Sequence, residues 1–157
     1  MEIGELQTLK ALSIQAGSVY RMRLFPDDGV VPKHKDETSR DKFFIILGKD
    51  AGGNIVALSL INTEINEHLK SRIGEYQYPI ASADYAFLHG KDRFVDCYSM
   101  KEVSMRRIIE SGDYIGIISD ADLDRIIALV GTSPIISVAT LKKFSLYKGK
   151  ENSLNQK

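Results

Sequence analysis

The chain has 157 residues, 43% of them hydrophobic and 27% charged, an ordinary globular composition with length for one domain and a real core. Lysine plus arginine and aspartate plus glutamate both number 21, so no global basic field draws in nucleic acid, and any anion must be held by a local patch. One cysteine, Cys97, excludes an internal disulfide and suits a reducing cytoplasm, and no apolar run approaches the roughly 18 residues of a membrane span.

In chain order, residues 3–15 carry Ile3, Leu6, Leu9 and Leu12 at a spacing of three, a weak helical signal that Gly17 ends. "SVYRMRLF" (18–25) alternates, with Tyr20, Met22 and Leu24 on one face and Arg21, Arg23 and Phe25 on the other, as a half-buried antiparallel strand does. Pro26 and Pro32 bracket an extended polar loop that runs to Lys42. "FFIIL" (43–47) and "IVALSLI" (55–61) lack alternation and predict strands covered on both faces, joined by the turn-forming "GKDAGGN". Residues 64–74 fit a short helix, and "YQYPI" fits an edge strand, because Pro79 cannot donate to a ladder. "RFVDCYS" and "EVSMRRII" are β-rich and predict a further strand pair, and "DYIGII" a last strand.

Ser119 then caps a helix with Asp122 at its third position and with Leu123, Ile126, Ile127 and Val130 in one stripe, stopped by Gly131. Ser133-Pro134 predicts the start of a second helix. The tail from Lys148 lacks an apolar anchor, so residues 1–147 are expected to form one domain and 148–157 a disordered tail. Strands clustered together, without a βαβ rhythm, predict an α+β fold, mainly β, built on an antiparallel sheet or small barrel. No Walker loop, HExxH, cysteine pair or GxSxG occurs, and His34, His68 and His89 follow no metal-ligand spacing. No cofactor is expected.

The order of elements resembles the MazF/PemK/Kid family of bacterial toxin–antitoxin toxins. Carrying the resemblance are "GSVY" (17–20), a polar loop with His34 and Arg40, the covered strand "FFIILG", a second covered strand ending in "LINT", a strand led by Cys97, and "GDYIGIISDADLDRIIALVG". It spans about residues 17–131. What it implies is an SH3-like antiparallel barrel with C-terminal helix or helices, here with an extra N-terminal segment, usually as a homodimer. It also implies metal-independent cleavage of single-stranded RNA, under control of an antitoxin protein; the cytoplasmic setting without a membrane span is the expectation from composition. Five positions depart from the family pattern: Ser18 replaces an acid, Asp41 or Phe43 a proline, Asp96 and Tyr98 an arginine and an acid, and Glu64 the serine that follows the family's strand-ending threonine. Arg40 matches the family's loop cation by spacing from the histidine, and Lys42 matches it by the start of the strand.

Metal-free RNA cleavage needs a base for the 2′-hydroxyl, an acid for the leaving oxygen, and cations for the phosphorus. His34, with an ordinary pKa of about 6.5, suits either proton role. Arg40 can clasp a phosphate through two donors, and Thr63 matches the family's strand-ending threonine. The expected catalytic set is thus His34, Arg40 and Thr63. Arg21, Arg23 and Lys42 are the expected phosphate binders, joined by Arg106, which shares a face with Ser104 if 102–108 is extended. Tyr76, Tyr78 and Tyr85 are candidates to stack unpaired bases. Two alternatives stand beside this: a catalytically inactive barrel that binds a protein or nucleic acid, and an enzyme with a small-molecule pocket beside the 64–90 insertion.

Overall fold

The structure is a computed structural model that describes residues 9–28, 40–63 and 74–148. The expected helix at 64–74 and the tail beyond Lys148 fall outside the described residues, save for Gly74, which opens a 3-10 turn. Seven strands are described: β1 Ser18–Leu24, β2 Arg40–Lys49, β3 Ile55–Asn62, β4 Gln77–Ile80, β5 Arg93–Asp96, β6 Lys101–Ser104 and β7 Asp113–Ile117. The helices are α1 Met105–Ser111, α2 Asp120–Val130 and α3 Val138–Lys143, preceded by a helical turn over 9–13. The fold is α+β and mainly β. One open antiparallel sheet runs β4-β5-β3-β2-β1-β7, with β6 also on β3.

β1 alternates as its sequence predicts: Tyr20, Met22 and Leu24 are buried, while Arg21 and Arg23 face solvent. Phe44, Ile45, Ile46 and Leu47 of β2 are all buried because the sheet carries a core on each face. On one face, Val19, Ile45, Leu47, Ile61 and Val95 pack under Ile126 and Val130 of α2 and Leu141 of α3. On the other, Tyr20, Met22, Phe44, Ile46 and Leu58 pack under Met105 and Ile108 of α1 and under Ile14. The chain enters β1 through Gly17, whose φ of +93° suits glycine, and its N–H bonds the Ile46 carbonyl at 2.8 Å. The β2–β3 hairpin is closed by Asp50, whose Oδ1 accepts from the N–H groups of Asn54 and Ile55.

Ser59 is fully buried in the α2/α3 core, and its hydroxyl has no hydrogen-bond partner among the described residues. An unpaired buried hydroxyl costs stability, so Ser59→Ala is expected to raise the unfolding free energy by about 1 kcal/mol, read by urea titration.

Three sequence expectations are corrected. First, β5 and β6 do not pair with each other; both lie along the same edge of the long β3. Ile61 and Asn62 face Val95 and Phe94, and Ile55 to Leu58 face Ser104 to Lys101. Asp96 prevents a reversal between them: its carboxylate accepts from the Tyr98 N–H and the Ser99 hydroxyl, holding a bulge after which the chain resumes its direction. Second, "EVSMRRII" is a strand only to Ser104. That serine caps α1, accepting from the Arg107 N–H at 3.2 Å, and Met105 and Ile108 form the buried side of a helix. Third, Ser133-Pro134 opens no helix. The Ser133 hydroxyl donates to the Tyr98 carbonyl at 2.5 Å, and α3 starts instead after its cap Ser137.

Candidate nucleic-acid interface

β1, β3 and β4 end, and β2 and β5 begin, at one end of the sheet. Register decides what faces what there, because paired residues share a face and neighbours along a strand alternate. Arg21 is opposite Phe43 on one side and Asp113 on the other; Arg23 is opposite Asp41. All five lie on the α2/α3 face, beyond the edge of its core. Arg21 reaches Asp113 at 3.4 Å and Arg23 reaches Asp41 at 3.6 Å, and both arginine side chains are about half exposed. Exposed pairs of this length contribute at most about 1 kcal/mol, so a phosphate can take either guanidinium from its aspartate.

Lys42 does not join them. It alternates onto the α1 face, where it is buried and donates to Asn62 Oδ1 at 2.5 Å. The expected clamp of Arg21, Arg23 and Lys42 is therefore divided between two faces. Arg106 is also elsewhere: as a residue of α1 rather than of a strand it is strongly exposed, and its Nε donates to Glu110 at 3.0 Å. The backbone of Arg40 pairs with Leu24, and Thr63 is exposed just beyond β3, so these two expected catalytic positions come to the same end of the sheet, with Arg40 at a register position of the α1 face and Thr63 at one of the α2/α3 face. His34 lies outside the described residues.

The end of β1 is locked by a pair that the sequence patterns did not single out. Asp28 takes two 2.7 Å hydrogen bonds from the Arg107 guanidinium and one from the Phe25 N–H. The same guanidinium lies over the Phe25 ring and also donates to the Arg23 carbonyl. Arg107 holds the Asp28 carboxyl below the usual range, and Asp28 raises the Arg107 value in return. No spacing rule reveals a pair separated by most of the fold.

The tyrosines of the insertion are committed to the core. The Tyr78 hydroxyl donates to Asp122 Oδ1 at 2.6 Å, and the Tyr85 hydroxyl donates to Asp122 Oδ2 while accepting the Ser119 N–H at 3.0 Å. Tyr85 is buried, and Tyr76 and Tyr78 are half-buried against the α2/α3 core, Tyr76 also packing against Tyr98. Burial pushes the Cys97 thiol up to about 12, which leaves it protonated and chemically quiet.

No protein-family model matches this chain, and no curated protein matches it. Two of the residues that depart from the MazF/PemK pattern have structural uses here. Ser18 is buried and donates to the Ser13 carbonyl, and Asp96 holds the β5–β6 bulge and accepts from Gln77. Among the described residues no helix is long and apolar enough to cross a membrane.

Proposed function

We propose that the chain is a MazF/PemK-like endoribonuclease, which binds single-stranded RNA across this end of the sheet and cleaves it without a metal. The carrying observation is that three adjacent strands set Arg23, Asp41 and Thr63 in one row at this end of the sheet, with Arg40 the next position of β2 at the same end. A phosphate laid there meets an exposed guanidinium and an exposed hydroxyl on a rigid sheet. Arg40 steadies charge on phosphorus, and His34 supplies proton transfer. The finer architecture in this proposal is an SH3-like barrel, with β1, β2, β3 and β6 curled about the α1-face core. Support comes from Arg107, just past β6, which bonds Asp28, just past β1. A homodimer and an antitoxin that covers the RNA surface complete the proposal, in a cytoplasmic setting.

A second class of function, a catalytically inactive binding module, is favoured by one feature: Arg21 and Arg23 each already have an aspartate beside them. Two measurements separate the proposals. Long mixed-sequence RNA in excess EDTA should be cut at one short motif by the wild type and not by Thr63→Ala, Arg40→Ala or His34→Ala. Intact RNA with folded wild-type protein refutes the nuclease. RNA affinity should also fall steeply with salt, whereas a protein-binding surface tolerates it.

A further inference from the structure

Arg93 opens β5, and among the described residues its side chain makes no hydrogen bond and no ion pair. Its guanidinium lies 5.1 Å from the centre of the Phe43 ring, and its Nε is shut off from solvent without a partner. A buried donor left unpaired is costly, and the other arginines of this face, Arg21 and Arg23, both have carboxylates. The phenyl ring holds the guanidinium over its face by a cation–π contact. With Nε turned into the protein, the edge that carries the two terminal nitrogens is left to grip a phosphate with two parallel bonds.

Register places Arg93 beside Thr63. Ile61 pairs with Val95 and Asn62 with Phe94, so the next step along both strands sets Thr63 opposite Arg93. On the other side Phe43 pairs with Ile61, which sets Asp41 opposite Thr63, and Asp41 pairs with Arg23. Arg23, Asp41, Thr63 and Arg93 thus form the last row of the α2/α3 face, with strands about 4.8 Å apart. Arg21, Arg23 and Arg93 stand against Asp41 and Asp113, so this strip is positive by one charge on a protein that is neutral as a whole.

We infer that Arg93, held on Phe43, is a phosphodiester-binding residue, and that it and the Thr63 hydroxyl grip one phosphate of the bound strand. This inference rests on the RNA-binding proposal above. It adds a cation that neither the loop nor the β1 alternation supplies. The guanidinium takes two non-bridging oxygens, and the hydroxyl is left to contact the same group from the neighbouring strand.

The test uses the full chain and a mixed-sequence single-stranded 2′-O-methyl RNA, which cannot be cut through its 2′-hydroxyl, with binding followed by fluorescence anisotropy over a salt series. Arg93→Met keeps the stem over Phe43 and removes the charge. It is expected to weaken binding about tenfold and to reduce the slope of log affinity against log salt by about 0.7, the value of one single-strand phosphate contact. Arg93→Lys keeps the charge without the fork and should retain the wild-type slope with intermediate affinity, which guards against a folding defect in the methionine variant. If the wild type binds and Arg93→Met binds equally well, Arg93 is not a contact and the RNA proposal survives. Weaker binding with an unchanged slope also overturns the inference, because it marks a packing role. If the folded wild type fails to bind at low salt, the RNA proposal falls and this inference falls with it.

Discussion

Asp122→Ala is expected to lower the unfolding free energy by about 3 kcal/mol, measured by urea denaturation near neutral pH. Two tyrosine hydroxyls end on this one carboxylate, and one of them also receives the Ser119 N–H at the start of α2. A hydrogen bond to a charged acceptor contributes more than a neutral one, and both bonds are part-buried. The carboxylate also sits in the first turn of α2, where the helix dipole favours it. Burial raises the Asp122 value, but the hydrogen bonds from Tyr78, Tyr85 and Ser119 outweigh it and the net direction is down. A depressed carboxylate stabilises above its unfolded value and loses that contribution as the pH falls through the folded one. Tyr78→Phe and Tyr85→Phe should each cost less than Asp122→Ala, since each leaves the carboxylate one hydroxyl. Equal stability of Asp122→Ala and the wild type would refute the role of this junction between the insertion and α2.

Arg107→Ala is expected to cost about 2 kcal/mol and to change the acid limb of the stability profile. The lost guanidinium makes two short bonds to Asp28, whose side chain is only 12% exposed, so the variant leaves a nearly buried carboxylate with one N–H donor. The cost stays below that of a fully buried pair because the arginine is 31% exposed. Arg107 is the leading cause of the depressed Asp28 value. In the wild type this pair therefore stabilises fully above the unfolded carboxylate value of about 3.9, and the gain is lost as the pH drops through the folded value. The variant should lack most of that dependence. Urea titrations of both proteins from acid to neutral pH check this, and parallel curves would exclude the pair as a stabilising device. A local consequence follows as well, since the same guanidinium holds the Arg23 carbonyl and Phe25 at the start of the polar segment.

Local signals carried much of the architecture. The alternation of residues 18–25, the unbroken apolar runs at 43–47 and 55–61, the turn at Asp50–Asn54 and the Ser119 cap all appear where their patterns put them. Each depends on contacts within a few residues, so one stretch of chain is enough to define it. Ser104 misled because a serine can lie in a strand or cap a helix, and the α1-face core settled it by burying Met105 and Ile108. Ser133 misled for a related reason: its hydroxyl is taken by the Tyr98 carbonyl, a partner remote in sequence.

The candidate site divides along the same line. Arg21 and Arg23 were legible because a strand's period of two places them together, and the same period sends Lys42 to the opposite face once the pairing of β1 with β2 is known. Thr63 and Arg93 carry no shared pattern, since thirty positions of chain separate them and only the common pairing of β3 with β5 makes them neighbours. Asp28 and Arg107, and Asp122 with Tyr78 and Tyr85, are likewise joined by the course of the folded chain. Element type, capping and the two-sided burial of the central strands follow from short-range sterics and hydrophobic periodicity, which one strand or helix expresses alone. Which charges meet, which are neutralised and which face they share depend on strand order and register, and those are set by how the whole sheet buries its two cores.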